Sequence, residues 1–321
     1  MLLSRQRGVA VVTAMLLTTL AISIVASLFW QQQVQVRSME NQRLHLQTKW
    51  IQRGALDWAS VILRQNYGQR ISLEQVWATP LAETRLDQYI ERERIQGENF
   101  DASLSGQIFD ACARYNLNNL AKDGLRNPDQ TLAFERLLTN LRLEARYARP
   151  IAEFVAAGQP LPVVPPNPED TKTVQQPARS GVPMPLLRVD DLLMVRGVTP
   201  EMVERLRPFV IVLPVSESKV NVNTAPAEVL AAVLPGMSMG QANALVEQRK
   251  RVPWNDMQQF ISEMREADKL IPEWLNVSSD YFLVQSRIRL DRAALDAESL
   301  VQASRSAPMV GGVKVIWTRQ N

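Results

Sequence analysis

The sequence predicts an α+β protein: a long N-terminal transmembrane helix packed on a small antiparallel sheet, with a mainly helical domain inserted between the strands. Three observations predict it. A charge-free apolar run, Val9–Trp30, continues without proline into a polar stretch with spaced apolar residues. The middle of the chain carries helical periodicity punctuated by glycine turns. The last forty or so residues alternate apolar and polar positions in short runs, as strands do.

Residues 1–8, MLLSRQRG, form a short leader holding Arg5 and Arg7. The 22 residues from Val9 to Trp30 follow. As a helix they span about 33 Å, close to the hydrocarbon thickness of a bilayer. A helix is the economical form there, because it satisfies its own backbone groups. Phe29 and Trp30 close the run at interfacial depth, and the two arginines hold its start on the cytoplasmic side. A cleaved secretory signal has a shorter apolar region ending in a cleavage site. A plain signal anchor is the other ordinary reading. Gly8 sets the chain apart from both: it sits between the basic leader and the apolar run, so a cut there removes the charges and keeps the helix.

From Gln31 to about Arg64 the pattern is that of a helix leaving the membrane, with glycine only at Gly54. Trp50, Trp58 and Trp77 are expected to pack against the head, and His45, the only histidine, to face solvent. Residues 101–112, DASLSGQIFDAC, read as a hairpin turning at Gly106, with Cys112, the only cysteine, as a buried thiol. Tyr115–Leu120 is asparagine-rich and suited to turns and caps. A helix is expected over about 129–148. Residues 158–186 hold eight prolines and read as a surface loop.

Two units then repeat about 39 residues apart, around Gly197 and Gly236. Each reads as helix, glycine turn, then Thr199 or Ser238 capping the next helix, the pattern of a helix-hairpin-helix. Such hairpins often bind DNA phosphates. Here only Arg196 adjoins the first turn, Glu201 and Glu204 follow it, and no basic residue adjoins the second. Between the units, Val220–Pro226 reads as a strand with one buried face, then a helix capped by Thr224 with Pro226 in its first turn. Segments 281–290, 300–304 and 311–317 read as antiparallel strands.

The 36 basic and 33 acidic side chains are nearly balanced once Arg5 and Arg7 are set aside, which gives no concentrated basic face. No phosphate loop, nucleophile elbow, HExxH or CxxC pattern occurs, so no enzymatic chemistry is expected. The domains are expected at 1–8 (leader), 9–30 (membrane helix), 31–112 (helix continuation and first part of the head), 113–279 (inserted helical domain) and 280–321 (closing strands).

Basic leader, Gly8, apolar helix, Tyr115-Asn-Leu-Asn-Asn-Leu120 and Val220-Asn-Val-Asn-Thr-Ala-Pro226, in this order, resemble the K-type minor pseudopilins of type II secretion (general secretion pathway protein K). The resemblance implies cleavage after Gly8 by a prepilin peptidase and methylation of the new terminus at Val9. It implies an inner-membrane anchor with a periplasmic body, and a place at the pseudopilus tip with I-type and J-type minor pseudopilins. It also accounts for Thr13 at the fifth mature position, where other pseudopilins carry glutamate. Asn116, Asn118, Asn119, Asn221, Asn223, Thr224 and Pro226 are the family-motif residues, expected to serve turns and caps rather than a ligand. Calcium in the helical domain is implied as well, but where the family segment is acid-rich this chain has Glu153-Phe-Val-Ala-Ala-Gly158, leaving Glu169 and Asp170 as candidates. The alternative is a membrane-anchored helix-hairpin-helix DNA-binding protein of competence type; binding of nucleic acid is not expected.

Overall fold

The computed structural model describes residues 7–65, 70–86, 101–160, 184–264, 273–303 and 312–320. Helix α1 runs over Arg7–Gln65 without interruption. Its 59 residues make a rod of about 88 Å. Side chains are exposed from residue 10 to 43, whereas Thr48, Gln52, Ala55, Ala59, Ile62 and Leu63 are buried. Those positions recur every three or four residues and form one stripe, which lies on the sheet.

The sheet contains β1 (Leu81–Arg85), β2 (Ala102–Asp110), β9 (Tyr281–Leu290), β10 (Ala293–Ala303) and β11 (Val313–Gln320), in that spatial order and antiparallel throughout. β9 turns directly into β10 through Asp291, which takes a positive φ of 49°. Alternation along β9 sorts its two faces. Phe282 and Val284 pack on Ala59, Ile62 and Leu63 of α1, joined by Trp77, whose ring stands edge-on to Phe282 at 5.5 Å. Tyr281 and Leu283 face the other way, against Ile211 and Leu213 of the inserted segment. Beyond Gln285 that second face is polar and exposed at alternate residues.

β2 and β9 are neighbours in space with 170 residues between them in sequence. The intervening chain forms β3 (Tyr115–Asn116), β4 (Ala121–Lys122), β5 (Leu125–Arg126), α2 (Pro128–Asn140), α3 (Ala148–Gly158), α4 (Pro200–Leu206), β6 (Val210–Ile211), β7 (Val220–Asn221), α5 (Ala227–Val233), α6 (Met239–Arg251), α7 (Met257–Glu263) and β8 (Leu275–Asn276). Its helices enclose a core of their own around Phe134, Leu137, Ile151, Leu230 and Trp254. The class is α+β, as the sequence predicts.

Several local expectations are corrected. Residues 101–112 are not a hairpin: β2 passes straight through Gly106, which pairs with Leu81 on one side and Ser286 on the other. The helix expected at 129–148 breaks after Asn140, where Arg142 adopts φ 56°, and α3 starts afresh at Ala148. Trp77 is buried, but Trp50 and Trp58 are 70% and 48% exposed. Trp50 lies opposite the packed stripe of α1, and Trp58 lies on its flank, lining a groove with Leu104, Gly106 and Val284 of the sheet. The first hairpin unit opens with a 3-10 helix, Val189–Met194, rather than an α-helix. Both turn glycines have positive φ, 90° at Gly197 and 79° at Gly236, where a side chain would strain the backbone. Thr199 and Ser238 cap the helices that follow.

Candidate functional site

Two regions hold the residues singled out from the sequence: the bare half of α1 and the joint between the inserted segment and the sheet. In the first, α1 carries a window of mean hydropathy 2.2, none of it buried, long and apolar enough to cross a membrane. Val12, Leu16, Leu20 and Phe29 are all more than half exposed. The four hydroxyls between residues 13 and 23 bond back to the helix: Thr13 to Ala10 O at 3.0 Å, Thr18 to Ala14 O, Thr19 to Leu16 O at 3.0 Å and Ser23 to Thr19 O at 2.8 Å. A hydroxyl satisfied in this way asks nothing of lipid. Gly8 and Val9 lie in the first turn of the helix.

The second region is built from the two asparagine strings. Asn116 Oδ1 accepts from Asn118 N at 3.1 Å and from Leu213 N at 3.0 Å, while its Nδ2 donates to Val215 O at 2.7 Å. Asn118 Nδ2 donates to Leu213 O at 2.7 Å. Asn119 exchanges bonds with Ser218, donating to its carbonyl at 2.8 Å and accepting from its N–H at 3.1 Å. These three side chains therefore clamp the irregular 213–218 loop, whose backbone has no sheet partner among the described residues.

Asn221 and Asn223 do the same one layer away. Asn221 Oδ1 accepts from Asn223 N at 2.9 Å, and Asn223 pairs with the backbone of Trp254 in both directions, at 2.9 and 3.0 Å. Asn221 Nδ2 donates to Ile71 O at 3.1 Å, Asp110 Oδ2 at 2.9 Å and Ser279 Oγ at 2.9 Å. Val220 and Asn221 are both buried, so the string has two buried faces rather than one. Thr224 is not a helix cap. α5 begins after Pro226, and the Thr224 hydroxyl donates to Asp110 Oδ2 at 2.5 Å.

Asp110, at the end of β2, is the hub that sequence reading missed. Its Oδ2 also accepts from Ser279 Oγ at 2.6 Å, and its Oδ1 from Cys112 N at 2.8 Å. It is 5% exposed. Burial pushes its carboxyl above the usual 3.8, and the bonds from Ser279, Thr224, Asn221 and Cys112 pull it part of the way back. The Arg249 guanidinium is buried nearby and donates to Val222 O at 2.6 Å; burial lowers it to about 10, and the Asp110 carboxylate opposes that fall. Burial raises the Cys112 thiol as well, with Asp110 adding to the effect, so it is not a nucleophile. His45 is exposed, as expected. The only hint of this hub in the sequence is an aspartate between Phe109 and Ala111-Cys112, among residues that otherwise belong in a core.

The side chains of Asn116, Asn119, Asn221, Asn223, Thr224 and Asp110 spend their hydrogen bonds on one another and on nearby backbone, which describes a clasp. The described residues do not fit a calcium site either. Glu153, in α3, is bonded to Arg149 at 2.9 Å and largely exposed, and among the described residues no three carboxylate, histidine or cysteine side chains converge. Glu169 and Asp170 lie outside the described residues.

A helix bare and apolar over its first half, consistent with membrane anchoring, and packed by its second half under an antiparallel sheet is the layout of a pilin-like subunit. Models of the family "Type II secretion system (T2SS), protein K" match residues 113–215 and 220–278, just over half of the chain together. The chain belongs to that family and is a minor pseudopilin of the type II secretion system. It is 26% identical to protein K of Pectobacterium carotovorum, over 94% of each chain, and 28% identical to that of Pseudomonas aeruginosa, over 89% of this chain and 85% of the other. Its fold matches a chain in the crystal structure of the GspK-GspI-GspJ complex from enterotoxigenic Escherichia coli, with TM-score 0.63 and 21% identity, covering 88% of this chain and 99% of that one.

Proposed function

We propose that this subunit sits at the tip of the periplasmic pseudopilus, anchored in the inner membrane by Val9–Trp30 until it is drawn into the fibre, and that its role is mechanical rather than enzymatic. The observation that carries the reading is the bare half of α1: some thirty residues of exposed helix, apolar in the part nearest the terminus, have nothing to pack on among the described residues. Lipid or the helices of neighbouring subunits are the environments that cover such a surface. The family relative solved with I and J subunits supports these as partners. The inserted domain adds bulk beside the sheet, which hinders a further subunit above it. Thr13 fits the leading position. A carboxylate in lipid is costly unless paired, and a leading subunit has no neighbour ahead whose amino terminus pairs with one.

The proposal includes processing after Gly8 by prepilin peptidase and methylation of Val9. Intact-mass analysis of membrane-extracted protein is expected to find a chain beginning at methylated Val9 when the peptidase is present and the full precursor when it is deleted. A native chain that begins at residue 1 with active peptidase, or beyond Trp30, refutes the reading.

A further inference from the structure

A cleft of about 600 Å³ opens where the inserted segment meets the edge of the sheet. One wall is β11, through Ile316, Trp317 and Arg319; the other is the 213–216 loop together with Pro185–Arg188. Three features give it a chemical character. First, β11 is the last strand of the sheet: it pairs with β10 from Val313 to Gln320, and among the described residues its other edge has no strand partner. Second, the walls are apolar, and Trp317 is only half-buried. Third, two guanidiniums stand at one end. Arg319 lies over the Trp317 ring at 3.9 Å and donates to Leu187 O at 2.8 Å. Arg188 is exposed and makes no ion pair among the described residues. Of the acids nearby, Asp190 pairs with Arg207 at 2.6 Å, Asp191 accepts from the N–H groups of Leu187 and Arg188 at 2.8 Å, and Glu298 stands opposite Arg319 on β10. Asp123 stands on the lining too, held by the turn between β4 and β5.

We propose that this cleft is a docking groove for an extended, carboxylate-bearing peptide segment of a second protein, which adds to the free edge of β11. Strand addition supplies the main-chain hydrogen bonds that an open edge lacks, alternate side chains enter the apolar groove, and the acidic end meets Arg188 and Arg319. Charge favours an acidic occupant at Arg188: a basic segment would meet this exposed guanidinium, which makes no ion pair among the described residues, and an acidic one neutralises it.

The test uses the full-length chain in detergent micelles and three synthetic decapeptides of alternating threonine and valine. One ends in two aspartates, one in two lysines, and the third is the acidic peptide N-methylated at alternate residues. Calorimetry and backbone NMR are expected to show binding of the acidic peptide, with shifts confined to residues 313–320 and 185–188. Arg188→Glu, an exposed position that leaves the fold intact, is expected to weaken it about tenfold. The lysine and N-methylated peptides are expected to bind at least as weakly. Equal binding of the N-methylated peptide would show charge attraction without strand addition, equal binding of the lysine peptide would remove the charge argument, and no binding at millimolar peptide would leave the groove without this role; each overturns the proposal.

Discussion

Asp110→Ala is expected to destabilise the full chain by about 3–5 kcal/mol, the scale on which buried polar networks fail when their shared acceptor is removed. The residue sits where three pieces of chain meet: the end of β2, the Asn221–Thr224 string and the start of β9. Truncation leaves Cys112 N–H and the Ser279 hydroxyl without their acceptor in a region closed to water, and Arg249 without the nearby negative charge. Asn221 keeps Ile71 O and Thr224 keeps a contact with Asn221 O at 3.4 Å, so the loss is partial on that side. The effect should be felt as a loosened joint. Urea unfolding in detergent reads the energy, and amide exchange at 220–224 reads the place. An unchanged midpoint would show that the clasp carries no stability.

The same carboxyl gives a pH dependence with a definite sign. Its pKa in the folded chain is raised above 3.8 by burial. Folding therefore favours the protonated form, and the stability this contributes is fully present below pH 3.8 and declines as pH rises through the folded value. The protonated form has a partner for its added proton, because the Thr224 hydroxyl can turn toward Asn221 O and accept. Asp110→Asn is the reference. It offers the three side-chain donors a carbonyl but sets an amide against Cys112 N–H. The stability advantage of the natural chain over this variant should be largest near pH 3 and shrink on the way to neutrality. An advantage that grows instead with pH would mean that four donors outweigh burial and hold the group ionised.

What the sequence made legible was whatever rests on local chemistry. The apolar run, the glycine turns at Gly197 and Gly236 with their Thr199 and Ser238 caps, and the alternating strands near the C-terminus are each decided within a few residues. The turn bonds of Asn116 and Asn221, each accepting from the N–H two residues on, are of the same local kind. What stayed hidden is decided at long range. The amide groups of Asn221 and Asn223 reach Ile71 and Trp254, and the Thr224 hydroxyl serves an aspartate 114 residues away instead of a helix beside it. The break after Asn140 follows from closing the core around Phe134 and Ile151, since nothing in residues 141–144 forbids a helix. Trp50 and Trp58 were expected to be covered because tryptophan usually is, but how far each is buried depends on where its side chain falls around α1 relative to the sheet, which is set at long range.

Gly106 and Gly54 turn this difference into opposite results for one substitution. Gly106→Ala is expected to destabilise by about 1–3 kcal/mol, as overpacking does. A Cβ built there meets Gln285 O at 2.5 Å, with Ser286 Cα at 3.5 Å behind it. These are backbone atoms of the adjacent strand, so β2 and β9 would have to part, and no side chain can rotate away to relieve the contact. They are also the two strands between which the inserted domain hangs, so the disturbance should reach the Asp110 joint. Gly54→Ala is expected to stabilise by about 0.5–1 kcal/mol. It lies within α1 with nothing inside 4 Å of the added carbon, and alanine reduces the freedom lost on folding. Had Gly106 been the turn of a hairpin, its alanine variant would strain one φ angle and leave the strand spacing untouched; amide shifts confined to residues 105–107 would report that outcome. Shifts spread along Gln285–Arg287, with a lower unfolding midpoint for Gly106→Ala and a higher one for Gly54→Ala, are the signature of a glycine selected for the close approach of two strands.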